Sequence, residues 1–220
     1  MNILILHADL SQPSDEYRKY LKMLTQERQE RIARQHGNAA RLSLILKGLL
    51  MLHGLSQHTT DIRISRTQHG KPYLSDRDDI HFSLSHSDGA FAFACDTCPV
   101  GIDIQRIEGG QKPALRFFTE NERQAVLESP DPDRRFFEIW TAKEAYVKLL
   151  GTGLRTALRS FDVLDGGLSC SFYTEIRGGY AITACSENGT APQPVISTLT
   201  TEQLMKSISC RYKETNGGQL

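Results

Sequence analysis

The apolar pattern of this chain runs once through strand, helices and strands and then begins again near Val100; that restart most limits the folds open to it. A strand at 3–7 is followed by a polar helical stretch from about Asp15 to Ile32 and a helix from about Asn38 to His53. In that helix Leu42, Ile45, Leu46, Leu49 and Leu52 recur at three- and four-residue spacing, the mark of a buried face. Strands at about 61–65, 80–84, 91–94 and 100–104 follow, with Gly70-Lys-Pro72 and Ser87-Asp-Gly89 as turns. The second round places helices at about 119–128 and 133–150 and strands at about 160–164, 170–175, 180–185 and 194–200. This order predicts an α+β protein of two similar α/β halves, 1–99 and 100–210, although no sequence repeat is visible. The polar, glycine-rich stretch 211–220 is expected to be a disordered tail.

Charge excludes several classes of function. The 26 Lys and Arg residues cancel the 26 Asp and Glu residues, so no global field would hold the protein on nucleic acid or an anionic bilayer. The longest apolar-looking stretch, Leu42 to Leu55, contains Lys47 and His53 and falls short of the roughly 20 residues that a bilayer core requires. Met1 to Leu10 lacks the basic start of a signal peptide, and the five cysteines are odd in number without framework spacing; a reducing, cytoplasmic setting is therefore expected. Cys95 and Cys98 form a C-x-x-C, but it follows a strand and ends in Cys-Pro, so it reads as a turn. Locally the charge is uneven. From Glu16 to Lys71 there are eleven basic residues against four acidic ones, whereas acids such as Asp103, Glu122 and Glu144 collect further on. Such a division suits either two solvated faces or a site that holds a polyphosphate together with its divalent cation.

Four segments carry chemistry. In Val100-Gly-Ile-Asp-Ile-Gln105, Asp103 and Gln105 face one side of a β-branched strand and Ile102 and Ile104 the other; the carboxylate is costly there unless paired, and Gly101 leaves room for a close approach. In the helix Phe136 to Leu150, Trp140, Glu144 and Lys148 share one stripe, and the charged group Lys143, Glu144 and Lys148 lies amid apolar neighbours. Phe82-Ser-Leu-Ser-His-Ser87 crowds three hydroxyls and an imidazole, groups able to donate to phosphate oxygens. His69-Gly-Lys-Pro72 presents Lys71 on a turn preceded by Arg63 and Arg66.

Taken in this order, Gly70-Lys-Pro72, Phe82-Ser-Leu-Ser-His-Ser87, Gly101-Ile-Asp-Ile-Gln105 and Trp140-Thr-Ala-Lys-Glu-Ala-Tyr-Val-Lys148 resemble the 4'-phosphopantetheinyl transferases, in particular the larger, pseudodimeric surfactin-type branch. Two positions depart from that family's pattern: Ser83 replaces an asparagine and Gln105 an acid. The resemblance implies an enzyme that moves the 4'-phosphopantetheine arm of coenzyme A to a serine of an apo acyl or peptidyl carrier protein, releasing adenosine 3',5'-bisphosphate. It also implies that Asp103 and Glu144 hold Mg²⁺, with Gln105 touching the ion directly or through water. Lys71, Pro72, Ser85, His86 and Lys143 would then line the coenzyme A site, with Arg41 and Arg63 on the 3'-phosphate.

The base for the carrier serine would be Glu144, or Lys148 if neighbouring cations pull its pKa down. The segment Gln105 to Phe118, with Arg106, Lys112 and Arg116 around Leu115, Phe117 and Phe118, is either a docking surface for an acidic carrier or a plain loop. Two halves in one chain imply a monomer. The competing expectation is a coenzyme A or nucleotide-binding module impaired in catalysis, with Gln105 as the sign of decay. Nucleic-acid binding is disfavoured, because aromatic residues do not interleave with the basic ones.

Overall fold

A computed structural model describes residues 1–110, 112–187 and 193–216. The strands are β1 (Asn2–His7), β2 (Ile64–Arg66), β3 (Pro72–Leu74), β4 (His81–Ser87), β5 (Ala90–Asp96), β6 (Val100–Arg106), β7 (Ser171–Arg177), β8 (Tyr180–Ser186) and β9 (Val195–Thr200). The α-helices are α1 (Gln26–Ala33), α2 (Asn38–Ser56), α3 (Glu120–Leu127), α4 (Pro132–Leu150) and α5 (Thr201–Asn216). The strands form a sheet of order β4-β5-β1-β9, a small β2-β3 hairpin and a second sheet of order β6-β8-β7.

Alternation along the strands builds two cores back to back. On β1, Leu4 and Leu6 face α2 and α5 with Phe91, Phe93, Leu204 and Ile208, whereas Ile3 and Ile5 face the second sheet with Ile102, Ile104 and Ile182. The layers are therefore helices α2 and α5, first sheet, second sheet, and α4. By length and composition α2 could cross a bilayer, but its Leu42, Leu46, Leu49 and Leu50 are fully buried in the first core.

Gly101 explains how α4 lies so close to β6. A Cβ built there would stand 1.9 Å from the Ala145 carbonyl oxygen and 2.6 Å from the Leu149 nitrogen. The helix therefore rests on bare strand backbone. Gly101→Ala is expected to cost about 1–3 kcal/mol of stability by forcing α4 off the sheet. Chemical unfolding measures this, and an unchanged midpoint would refute it.

Where β4 and β6 meet, side chains make the joint instead of a strand ladder. The Ile102 amide donates to Ser83 Oγ at 3.1 Å, the Arg106 amide donates to Ser87 Oγ at 3.2 Å, and Ser85 Oγ donates to Asp103 at 2.6 Å. Three serines read as phosphate donors are thus turned inward onto β6.

Several expectations change. The stretch from Asp15 to Ile32 is a 3-10 helix, Ser14–Met23, followed by α1, which Thr25 caps. The strand expected at 160–164 does not form, because Asp162 holds a turn there, accepting from Thr119 Oγ1, Asn121 and the Leu164 amide. Strand β3 and helix α5 were not anticipated. The division at 100–210 also departs from the structure in its last stretch, since β9 pairs parallel with β1 and α5 packs on α2. The tail begins later than expected: α5 continues to Asn216, and Arg211 donates to the carbonyls of Ser56 and Thr59. Residues 217–220 lie outside the described residues.

Candidate active site

The centre of the site is Asp103, 1% exposed in the middle of β6. Lys148 of α4 donates from Nζ to Asp103 Oδ1 at 2.6 Å and to Ser85 Oγ at 2.7 Å, while Gln105 Nε2 donates to Oδ2 at 3.3 Å. The buried carboxylate is thus paired, as its apolar strand requires. Glu144 stands one helical turn before Lys148 and lines the adjoining cleft. Burial, and then the charge of Asp103, hold its carboxyl above the usual pKa, with Lys148 opposing. Two carboxylates that repel one another in a half-buried wall suit a divalent cation between them.

No group of three or more His, Cys, Asp and Glu side chains able to hold a metal occurs among the described residues. Mg²⁺ does not need one: one or two carboxylates with water and substrate phosphates complete its shell. The residues present therefore fit such an ion.

The cleft has a volume of about 840 Å³, in the ordinary range for small-ligand sites. Phe82, Leu84, Phe117, Trp140 and Val147 form an apolar wall; Arg28, Arg31, Lys47 and Arg66 supply cations from α1, α2 and β2. Trp140 also borders a second cavity of about 340 Å³, which includes Gln105, Arg106 and Glu108.

The other expected site residues divide. Lys71 and Pro72 line the cleft, but the Lys71 ammonium donates to the carbonyls of Leu149 (2.9 Å) and Val100 (3.3 Å), closing the C-terminus of α4. Burial lowers its pKa. Ser85 is engaged with Asp103 and Lys148. His86 is exposed, and desolvation with the charges of Lys47 and Lys148 pushes its imidazole pKa down to about 4.

Three expectations are corrected. Lys143 is fully buried on the flank of α4 that meets α3, with Nζ 2.7 Å from Glu122 and bonded to the carbonyls of Leu158 and Phe161. It supports the core and touches no cleft. Arg63 is tied at the surface to Asp61 and Asp76. Arg41 donates to the Gln35 carbonyl and is absent from the cleft lining. The cleft is lined instead by Arg28, Arg31, Lys47, Arg66 and Arg159, to which sequence reasoning gave no site role, although it noted Arg66 beside the Gly70-Lys-Pro72 turn; the i, i+3 pair Arg28 and Arg31 was the available signal.

In the segment 105–118, Arg106 pairs with Asp88, and Arg116 stacks 4.8 Å from the centre of the half-exposed Phe117 ring. The Lys112 side chain lies outside the described residues.

Comparison with known proteins gives this geometry a family. Residues 11–98 match the profile of the 4'-phosphopantetheinyl transferase N-terminal region, and residues 99–191 that of the 4'-phosphopantetheinyl transferase superfamily. The chain is 28% identical over 216 residues to the 4'-phosphopantetheinyl transferase Sfp of Bacillus subtilis (strain 168), covering 89% of this chain and 96% of that protein. Another 4'-phosphopantetheinyl transferase of Bacillus subtilis is 30% identical over 171 residues, 74% of this chain and 76% of the relative. The 4'-phosphopantetheinyl transferase gsp of Aneurinibacillus migulanus is 40% identical over 122 residues, 54% of this chain and 49% of its own length. A chain that places Asp103, Glu144 and Lys148 together beside a basic cleft, and that shares these profiles and relatives, is an enzyme belonging to the 4'-phosphopantetheinyl transferase superfamily.

Proposed function

We propose that this enzyme transfers the 4'-phosphopantetheine arm of coenzyme A to a serine of an apo acyl or peptidyl carrier protein, with Mg²⁺, releasing adenosine 3',5'-bisphosphate. The observation that carries this reading is the meeting of Asp103, Glu144 and Lys148 at one end of a cleft whose other cations are Arg28, Arg31, Lys47 and Arg66. Such an arrangement suits a ligand with phosphates at two places.

In the reaction the serine oxygen forms a bond to the phosphorus bearing the pantetheine, and the bridging P–O bond breaks toward adenosine bisphosphate. Asp103 and Glu144 would hold Mg²⁺, whose chemistry when bound is to neutralise charge on the pyrophosphate oxygens. Arg28, Arg31 and Arg66 bind and orient the phosphates away from the reacting centre. Lys148 donates two hydrogen bonds through Nζ, which favours the role of a cation over that of a base. Glu144, pushed toward a higher pKa, is the better group to receive the serine proton. The inner faces of both sheets are packed on one another within a single chain, which supports a monomeric enzyme.

The direct test is mass gain of a panel of apo carrier proteins incubated with coenzyme A and Mg²⁺; no gain with any of them counts against the reading. A base must be ionised to act. The rate should therefore fall as pH is lowered, and this acid limb should be absent in Glu144→Gln. Profiles of kcat/KM against pH for the two proteins check this.

A further inference from the structure

Lys47 is a cation without a partner among the described residues. It projects from α2 into the cleft, although the helix around it is committed to the core: Leu42, Ile45, Leu46 and Leu49 are buried. Its ammonium makes no ion pair or hydrogen bond among the described residues, and all the charges that act most strongly on it are positive. Arg28 and Arg31 approach from α1, Arg66 from β2 and Lys148 from α4, and Lys47 in turn acts on His86 of β4. The Arg28 side chain lies along α2 beside it, since a Cβ on Gly48 would stand 2.6 Å from the Arg28 Cδ and Arg28 Nη1 donates to the Leu44 carbonyl.

Two of the neighbouring cations are balanced, whereas Arg28 and Arg31 make no ion pair among the described residues and share the unneutralised charge with Lys47. Arg66 is paired with Glu27 and Lys148 with Asp103. A half-buried ammonium on which four cations act most strongly is disfavoured in the empty cleft and favoured once an anion arrives; Glu144, the acid that lines the same cleft, is not among the charges that act most on it.

We propose that Lys47 is a phosphate-binding residue of this cleft, and that it takes up its proton as the ligand enters. The proposal rests on the coenzyme A reading above. Desolvation and the surrounding positive charges hold its pKa down to about 8 in the free enzyme. At pH 8 roughly half the molecules would then carry a neutral amine, and a bound phosphate would raise the pKa and draw in about half a proton. At this pH the ligand's own phosphates are already ionised, because a phosphate monoester has its second pKa at about 6. His86 starts from about 4 and adds little at pH 8.

The test is calorimetric titration with coenzyme A and Mg²⁺ at pH 8 in two buffers of different ionisation enthalpy, on the wild type, Lys47→Met and Lys47→Arg. The wild type should take up a fraction of a proton. Lys47→Met should lose that uptake and bind about tenfold more weakly, the worth of one charge-assisted hydrogen bond. Lys47→Arg, always charged, should keep most of the affinity and show no uptake. In steady-state assays the loss in Lys47→Met should fall on KM for coenzyme A more than on kcat. Wild-type binding without proton uptake overturns the proposal, as does uptake that survives in both variants or Lys47→Met binding equal to wild type. Absence of any coenzyme A binding by the wild type overturns instead the functional reading on which it stands.

Discussion

Asp103→Ala is expected to lower kcat/KM by several kcal/mol of transition-state stabilisation, while Gln105→Ala costs at most about 1–2 kcal/mol. Asp103 is the acceptor on which Ser85, Lys148 and Gln105 all converge, so its removal takes away the proposed metal ligand and the anchor of Lys148 together. Gln105 is neutral and donates to Asp103 at the long end of hydrogen bonding, 3.3 Å, so at most it steers the carboxylate or holds a water. A glutamate in its place would add a charge on the same face, and Gln105→Glu should retain transfer while lowering the Mg²⁺ concentration required. Steady-state rates across a Mg²⁺ series measure all three variants. If Gln105→Ala were as damaging as Asp103→Ala, the account with two carboxylates would be wrong.

Lys143→Met should destabilise the fold by about 3–5 kcal/mol, because it strands the charge of Glu122 in the interior. Both side chains are fully buried. Glu122 also accepts from the amides of Thr119 and Val163, at 2.9 Å each, and Lys143 holds the carbonyls of Leu158 and Phe161 at 2.8 and 2.6 Å. One ion pair therefore ties α3, α4 and the chain between Leu158 and Val163. Glu122→Gln can accept from only one of the two amides, but it leaves Lys143 its two carbonyl acceptors and should cost less than Lys143→Met. Denaturant unfolding decides it, and an unfolding free energy for Lys143→Met within about 1 kcal/mol of the wild type would overturn this account.

Lys143 also shows why part of the site was legible and part was not. Helical spacing places Glu144 and Lys148 on one stripe, and that stripe faces the cleft. Lys143, rotated by about 100° from Glu144, belongs to another surface, and its partner is supplied from 21 residues earlier in the chain. Charge and spacing alone do not reveal which side of an apolar helix meets the cleft. Asp103 was legible for the opposite reason: an acid flanked by Ile102 and Ile104 declares itself wherever the strand goes.

Arg28 and Arg31 share one helix, but Lys47, Arg66 and Lys148 join them from α2, β2 and α4 only by tertiary packing, so local spacing announces the pair and not its company. Nor does any local pattern announce that β9 returns to lie parallel to β1. Helix α5 was readable. Thr200 and Gln203 form its capping box, with the Thr200 amide donating to Gln203 Oε1 at 2.8 Å and the Gln203 amide to Thr200 Oγ1 at 3.1 Å.

The serine joint between β4 and β6 is almost degenerate in alignment. Ser83, Ser85 and Ser87 repeat every second residue, and so do the β6 amides that point toward them, so sliding one strand past the other by two residues, roughly 7 Å, would offer nearly the same hydroxyl-to-amide bonds. What breaks the degeneracy is the single acid in the series: only one placement brings Ser85 to Asp103 beneath Lys148. The residues proposed for the chemistry thus also act as the key that fixes one sheet against the other, and the two sheets cannot be misaligned there without breaking the contact of Asp103 with Ser85 and Lys148.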